Sequence, residues 1–335
     1  MPFRKGAGEA FFRGLGMNQT GMNELDRVEI LTLQDNTIDM TATDNSEMIR
    51  RAGKRVAVEQ RKSVLAEHGF SAVVRTTVGE RTRTMLFDFG FSEIGAAFNA
   101  RTLGVPMGEI EAVALSHSHG DHTGGFGELM KMIGKTGTEL VVHPAAFRTP
   151  RYVKFDEGKS KSQHPPFTRQ MAQEAGTKVV ATKDPWPMLG GDVLFRGEIP
   201  RRTTFETGLH DAYYEEGGVE KTDSIDDDTS LVMNLRGKGL IILSGCAHSG
   251  IVNTVNRARE VTGIGAVHVI MGGFHINHAP SDPLVTQTVD ALKKLAPRYI
   301  VPTHCTGRKS IQEIEAAMPE SFLLNMSGTR LTFTA

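Results

Sequence analysis

The stretch Ser116-His117-Ser118-His119-Gly120-Asp121-His122-Thr123-Gly124-Gly125 places three histidines and one aspartate within six residues. Residues 111–115, just before it, are largely apolar, which indicates a buried strand. Residues 126–133, just after it, carry apolar side chains at helical spacing. The cluster therefore lies at a strand-to-helix turn, and such loops commonly carry binding and reacting residues.

The spacing of this cluster suits metal binding. Residues two apart in an extended segment point the same way, so His117 and His119 can reach one ion together. Gly120 should let the chain turn sharply, after which Asp121 and His122 can face a second position. Imidazole and carboxylate groups bind zinc, iron and related metals. Three unrelated loop histidines are the alternative, but a chain with 12 histidines in 335 residues rarely clusters them in this way by chance.

The composition is that of an ordinary globular chain, with 39% hydrophobic and 23% charged residues. A net charge of −1 gives no overall attraction to nucleic acid or to a membrane surface. No apolar run approaches the roughly 18 residues of a membrane span, and no signal-peptide pattern is visible. We expect a cytoplasmic protein that acts on a small molecule, with neither nucleic acid nor a membrane as partner. The oligomeric state stays open.

The two cysteines, Cys246 and Cys305, are too few for a disulfide framework. Both lie in segments that also contain glycine and histidine. A position near a metal ion and inert packing as a small buried residue are alternatives of equal weight.

The apolar runs predict an α/β fold. A hairpin is expected over residues 71–88, with a tight turn at Gly79-Glu80. The continuous apolar runs at residues 239–244 and 267–271 indicate strands that are covered on both faces. Amphipathic helices are predicted at residues 252–261, 284–295 and 310–318. These elements indicate central sheets with helices on the outside.

Domain organisation follows from the polar and basic stretches. Residues 1–27 are predicted to be a loosely attached lead, and residues 28–335 a single domain. Residues 144–190 are predicted to be a lid insertion over the site, with a plain surface loop as the alternative. The lysines and arginines of this lid should favour an anionic substrate. Residues 44–66 predict a helix with a solvated charged face, or alternatively a basic helix for an anionic partner.

The sequence His-x-His-x-Asp-His after a strand resembles the metallo-β-lactamase superfamily. A closer resemblance is to its subgroup of metal-dependent hydrolases, some of which are named for dihydropterin (ribofuranosylaminobenzene phosphate) synthase activity. The resemblance implies a four-layer αββα sandwich. It is carried by residues 67–71, 116–125, 245–250, 272–275 and 304–307.

The resemblance also implies a site with one or two divalent metal ions, zinc first, with iron or manganese as alternatives. His248 and His304 each follow an apolar strand and would complete the ligand sets begun in the first cluster. The implied ligands are His117, His119 and His248 for one ion, and Asp121, His122 and His304 for the other.

The chain departs from the family pattern after His248, where no Gly-Asp pair supplies the usual bridging carboxylate. Three alternatives stay open for the bridging or missing ligand. They are Cys246, one of the aspartates at 226–228, and His275.

The function implied by the resemblance is hydrolysis of an ester, thioester, lactone or phosphoester by a metal-activated hydroxide. Asp121 would bind the metal and orient this hydroxide, and His275 would serve as an acid or an oxyanion contact. One alternative is a transferase resembling the synthase of the subgroup. Another is a metal-bearing sensor or binding protein with little turnover.

Overall fold

The structure is a computed structural model that describes residues 22–53, 62–276 and 282–335. Of the predicted lead, residues 1–21 lie outside these ranges. The remainder packs on the fold, because Met22 and Leu25 are buried and Glu24–Leu25 pairs in parallel with a strand of one main sheet. The helix predicted over residues 44–66 falls partly on the undescribed residues 54–61. Its described part contains the two-residue strand Ile49–Arg50.

The first sheet is built mainly from the N-terminal half of the chain. Its strands, in spatial order, are Thr177–Ala181, Thr138–Val142, Ala112–Ala114, Arg81–Phe87, Ser71–Val78, Arg27–Gln34, Arg330–Thr334 and Ile49–Arg50. The predicted hairpin is present as the antiparallel pair Ser71–Val78 and Arg81–Phe87. Gly79 begins its two-residue turn with a φ of 57°, which glycine adopts without a steric penalty.

The second sheet comes from the C-terminal half. Its strands, in spatial order, are Trp186–Met188, Val193–Phe195, Ser230–Leu235, Gly239–Ser244, Val267–Gly273 and Tyr299–Thr303, with Glu24–Leu25 beside Ser230–Leu235. Gly239–Ser244 is buried along its whole length, as the unbroken apolar sequence predicted. The last three strands run parallel, so their carboxyl ends meet at one edge.

The helices cover the outer faces of the two sheets. Gly95–Thr102 and Phe126–Ile133 pack on the first sheet, and Ile251–Thr262, Pro283–Leu295 and Arg308–Ala317 pack on the second. Short helices also span Gly120–Thr123 and Arg169–Glu174. Within the described ranges, none of the helices combines the length and apolar character that crossing a bilayer requires.

Three apolar clusters hold these layers together. The largest lies between the sheets, where Val74 and Phe87 of the first pack with Leu231 and Leu243 of the second. The other two lie between each sheet and its helices. The order helix, sheet, sheet, helix is the αββα sandwich, so the predicted fold class is confirmed.

The residues predicted to be a lid do not form one insertion. Thr177–Ala181 and Trp186–Met188 belong to the two main sheets. Arg151–Phe155 and Ser160–Gln163 instead join Ala212–Glu216 and Val219–Thr222 in a separate antiparallel sheet, here called the small sheet. The small sheet reaches the histidine cluster, since the His164 ring stacks on that of His119 with centroids 4.5 Å apart.

Candidate metal centre

The ends of buried strands from both main sheets converge on the histidine cluster. Ala112–Ala114 leads into the cluster from the first sheet. Gly239–Ser244 leads to Cys246 and His248, and Tyr299–Thr303 leads to His304. The cluster residues are almost fully buried, although they lie on loops: His117 and His122 have no exposed surface, and His119 has 7%.

Asp88 fixes the conformation of the first loop. Its carboxylate accepts hydrogen bonds from the backbone and the hydroxyl of Ser116, both at 2.7 Å. The same carboxylate lies 2.7 Å from Nδ1 of His122, so that nitrogen donates to it and Nε2 is left to face the centre. The Ser116 hydroxyl lies 2.9 Å from Nδ1 of His117. One buried carboxylate therefore orients two candidate ligands.

Two glycines, Gly124 and Gly245, allow the loops to approach each other closely, and Gly120 does not have this role. We expected Gly120 to permit a sharp turn, yet it begins a short helix and has no positive φ. At Gly124 a Cβ would lie 1.7 Å from the carbonyl oxygen of Phe91, and at Gly245 it would lie 2.0 Å from the Ser116 hydroxyl. A side chain at Gly245 would push the loop that carries Cys246 away from Ser116, and a side chain at Gly124 would push the first ligand loop away from Phe91.

His117 and His248 form the first group of candidate ligands. Their Nε2 atoms are 3.1 Å apart. Two nitrogens bound to one tetrahedral zinc at about 2.0–2.1 Å are separated by roughly 3.3 Å, so this pair fits a shared ion. The His119 ring lies 4.5 Å from that of His117 and 4.8 Å from that of His248. His119 therefore lies beside this group. Its ring nitrogens are not within 4.8 Å of every donor atom of the group.

Asp121, His122 and His304 form the second group. Oδ2 of Asp121 lies 3.0 Å from Nε2 of His304 and 3.6 Å from Nε2 of His122. This grouping matches the division predicted from the sequence, and the ligand roles themselves stay a prediction.

Cys246 lies between the two groups. Its sulfur is 3.1 Å from Nε2 of His122. The sulfur lies within 4.8 Å of the donor atoms of Asp121, His122 and His304. It also lies within 4.8 Å of the donor atoms of His117 and His248. Thiolate, imidazole and carboxylate together are a donor set that zinc and related ions accept. The residues present therefore fit a divalent metal ion, and the Cys246 sulfur is within reach of both groups.

Four of the five candidate ligand histidines have the charge state that metal binding requires, a neutral imidazole. Burial alone would lower the pKa of the fifth, His122, but the neighbouring Asp121 and Asp88 carboxylates raise it overall. Burial lowers the pKa of His117, His119 and His248 well below its ordinary value, and the neighbouring histidines lower it further. Burial also lowers the pKa of His304 to about 4. Burial alone would raise the pKa of Asp121, but the adjacent His122 and His304 hold it well below its usual range.

Asn36 and Asp35 hold His304, and no sequence pattern marks either residue as part of the centre. Oδ1 of Asn36 lies 3.0 Å from Nδ1 of His304, which leaves Nε2 to face Asp121. The Asp35 carboxylate accepts from the His304 backbone N–H at 3.0 Å. Burial raises the pKa of Asp35 to about 6.

The aspartates at 226–228 support the loops and belong to neither ligand group in the described ranges. Asp228 accepts from the backbone N–H of Ser249 at 2.9 Å. Asp227 accepts from the backbone N–H of Ser118 at 2.9 Å. Arg151 of the small sheet donates to both oxygens of Asp227 at 2.8 Å and to the Ser118 hydroxyl at 2.6 Å. The buried ion pair of Arg151 and Asp227 therefore holds Ser118, which lies between His117 and His119, in place.

A cavity of about 510 Å³ opens beside the candidate ligands. His275 lines it and lies against His248, with ring centroids 4.2 Å apart. His68 also lines the cavity, with Nε2 3.4 Å from Oδ2 of Asp121. His275 was singled out from the sequence, whereas His68 appeared there only as part of a resembling segment.

The comparisons with known proteins agree with this geometry. The family model described as "Metallo-beta-lactamase superfamily" matches residues 66–304. A curated protein of Methanocaldococcus jannaschii is 30% identical over 77% of this chain and 87% of its own length. That protein is named 7,8-dihydropterin-6-methyl-4-(beta-D-ribofuranosyl)-aminobenzene-5'-phosphate synthase. An uncharacterized protein of the same organism is 28% identical over 76% of this chain and 89% of its own length.

One solved structure supports the fold. It is described as a metal-dependent hydrolase of the beta-lactamase superfamily and superposes with a TM-score of 0.69. The two sequences are 21% identical, and the alignment covers 92% of this chain and all of the other. At that identity the likeness concerns the fold and not the activity.

Proposed function

This chain belongs to the metallo-beta-lactamase superfamily, and on that premise we propose that it is a metal-dependent hydrolase. The proposed substrates are anionic esters, thioesters, lactones or phosphoesters. The observation that supports the proposal most strongly is the meeting of two ligand groups at the Cys246 sulfur, at the floor of an open cavity.

We propose that His117, His119, His248 and Cys246 hold one divalent ion and that Asp121, His122, His304 and Cys246 hold the second. Zinc suits this donor set best, and iron or manganese are alternatives. When bound, such ions polarise a substrate oxygen and bring the pKa of water toward neutrality.

The chain's own residues supply position and orientation. Asp88 and Asn36 fix the tautomers of His122 and His304 by hydrogen-bonding their Nδ1 atoms. We propose that Asp121 also orients the attacking water through its second carboxylate oxygen. His275 and His68 both line the cavity, where they can contact the leaving group or the developing oxyanion.

Metal analysis combined with a panel of ester and phosphoester substrates tests this proposal on one preparation. We expect at least one tightly bound divalent ion per chain, turnover of at least one substrate class, and loss of both after chelation. Full metal content with no turnover across the panel would favour the low-turnover sensor or binding protein.

A transferase is the second candidate because the 30% identical relative is named as a synthase. The discriminating experiment supplies a ribofuranosylaminobenzene phosphate and a dihydropterin with a leaving group on its 6-methyl carbon to the metal-loaded protein. Formation of the coupled product would favour the transferase over the hydrolase.

A further inference from the structure

Two thiols lie side by side in the wall of the cavity. Cys246 and Cys305 are the two cysteines of the chain, and both are free. Both line the cavity beside the candidate ligands. Cys246 is buried, with 2% of its surface exposed, whereas Cys305 is partly exposed. A small reagent that enters the cavity therefore has better access to Cys305 than to Cys246.

The second main sheet brings the two cysteines together over the end of one strand. The strand that ends at Gly273 lies between the two strands that lead to Cys246 and Cys305. A Cβ at Gly273 would lie 2.4 Å from the sulfur of Cys305 and 3.2 Å from the Cα atom of Cys246. The absence of a side chain at Gly273 therefore leaves the space in which the two cysteines meet.

The contact between the two cysteines is direct. The Cys305 thiol donates to the carbonyl oxygen of Cys246, with a sulfur-to-oxygen distance of 3.6 Å. The two thiols are also near enough to hydrogen-bond to one another. Sulfur atoms in such contact reach the disulfide bond length of about 2.05 Å by rotation of their side chains. The pair is therefore arranged to form one covalent bond.

The two thiols differ in their relation to the metal centre. The Cys246 sulfur lies among the donor atoms of both ligand groups, whereas Cys305 belongs to neither group in the described ranges. Cys305 directly follows His304, and Cys246 precedes His248 by two residues. A bond between the cysteines would therefore join the loops that carry one candidate ligand of each group.

We propose that Cys305 is a site of modification by peroxides and that the product is a disulfide between Cys305 and Cys246. The Cys305 sulfur attacks one oxygen of hydrogen peroxide, the O–O bond breaks, and a sulfenic acid and one water form. The Cys246 sulfur then attacks the Cys305 sulfur, and a second water leaves as the S–S bond forms. The two thiols together lose two electrons and two protons, and one peroxide is reduced to two waters.

This oxidation removes a donor from the metal centre, a consequence that rests on the proposed sharing of the Cys246 sulfur. A cysteine binds a metal ion as the thiolate, and a disulfide sulfur has no thiolate to offer. Formation of the disulfide therefore releases at least one ion. Reduction of the disulfide restores the site.

Treatment of the metal-loaded protein with hydrogen peroxide tests the proposal. We expect loss of both free thiols and release of at least one ion, and dithiothreitol followed by fresh metal should reverse both changes. Digestion with trypsin without reductant should yield the peptides 239–257 and 299–308 joined, and each of them contains one cysteine. The metal-free protein should form the same disulfide. Two thiols that persist, or a disulfide that joins two separate chains, would overturn the proposal.

Single serine replacements test which thiol the peroxide attacks. In Cys246→Ser, dimedone should label a sulfenic acid at Cys305, because no second thiol is present to consume it. In Cys305→Ser, the buried Cys246 thiol should stay unlabelled, and the metal should stay bound during the treatment. Circular dichroism checks that both variants are folded. Dimedone labelling of Cys246, or metal release from Cys305→Ser equal to that from the unmodified protein, would overturn the assignment of Cys305.

A failure of the proposed metal centre gives a different result from a failure of this proposal. A disulfide that forms while every ion stays bound would show that Cys246 is not a metal ligand. That result would contradict the shared sulfur and leave Cys305 standing as the site of modification.

Discussion

In the proposal above, Cys246 connects the two ligand groups. A carboxylate usually bridges the ions in relatives of this fold, and here the sulfur lies within 4.8 Å of the donors of both groups. The sequence left Cys246, the aspartates at 226–228 and His275 as alternatives for this position. The geometry favours Cys246, because Asp227 and Asp228 are committed to backbone N–H groups.

Replacing both His117 and His119 with alanine should remove metal and activity while the protein stays folded. The two residues lie on a loop between a strand and a short helix, and not within the apolar clusters that join the layers. Elemental analysis and circular dichroism measure the two effects. Metal content equal to that of the unmodified protein would defeat the assignment.

The single replacements His248→Ala and His304→Ala should weaken different ions. His248 faces His117 at 3.1 Å, and His304 faces Asp121 at 3.0 Å. Removing a residue that hydrogen-bonds to a metal ligand lowers metal affinity about 10–100-fold. Removing a ligand itself should lower the affinity at least as much. Anomalous scattering from crystals of each variant shows which position empties. Two full positions in both variants would contradict the division.

Among the elements, the small sheet and the two main-sheet strands Thr177–Ala181 and Trp186–Met188 were not predicted from the sequence. Residues 151–163 and 212–222 are polar and lie far apart in the chain, so periodicity alone could not pair them. The long apolar strands and the amphipathic helices were predictable because the spacing of their apolar residues shows which faces are buried. The helix Phe126–Ile133 has the predicted bounds, and the helix Ile251–Thr262 extends one residue further at each end.

Arg151→Met should destabilise the protein by about 3–5 kcal/mol, because it leaves the buried Asp227 carboxylate without its cation. Both oxygens of Asp227 accept from Arg151. Urea denaturation measures the free energy of unfolding. Lys154→Met is the control, since its pair with Glu220 is partly exposed and should contribute less than about 1 kcal/mol. Equal effects of the two replacements would show that the buried pair does not anchor the small sheet.

Asp192 connects the two main sheets, and its contribution should depend on pH. Burial alone would raise the pKa of Asp192, but hydrogen bonds from Arg81, Asn23 and Thr76 lower it overall. A lowered folded pKa stabilises the protein above the unfolded value of about 3.9, and this stabilisation is lost as the pH falls through the folded value.

Asp192→Asn should therefore cost about 1–3 kcal/mol at pH 7 and progressively less below about pH 4. Urea denaturation of both proteins at several pH values measures the difference. A difference that stays constant from pH 7 to pH 3 would mean that the charge of Asp192 is not what stabilises the fold.

At the scale of the whole molecule, the sandwich brings together ligands that are distant in sequence. The candidate ligands at 117–122 could be predicted from the sequence alone, because they lie within six residues of the chain. His248 and His304 were readable only through the family resemblance, since a single histidine after a strand has no distinctive spacing. Asn36 and Arg151 act on the centre through hydrogen bonds from distant segments, and no local pattern marks such residues.

We propose that two ions share the Cys246 sulfur where the two main sheets meet. A crystal structure of the metal-loaded protein, with anomalous data collected on both sides of the zinc absorption edge, tests it most directly. We predict two anomalous peaks, one among His117, His119 and His248 and one among Asp121, His122 and His304, each within bonding distance of Cys246. A single peak, or two peaks bridged by another residue with the Cys246 sulfur unbound, would contradict the account.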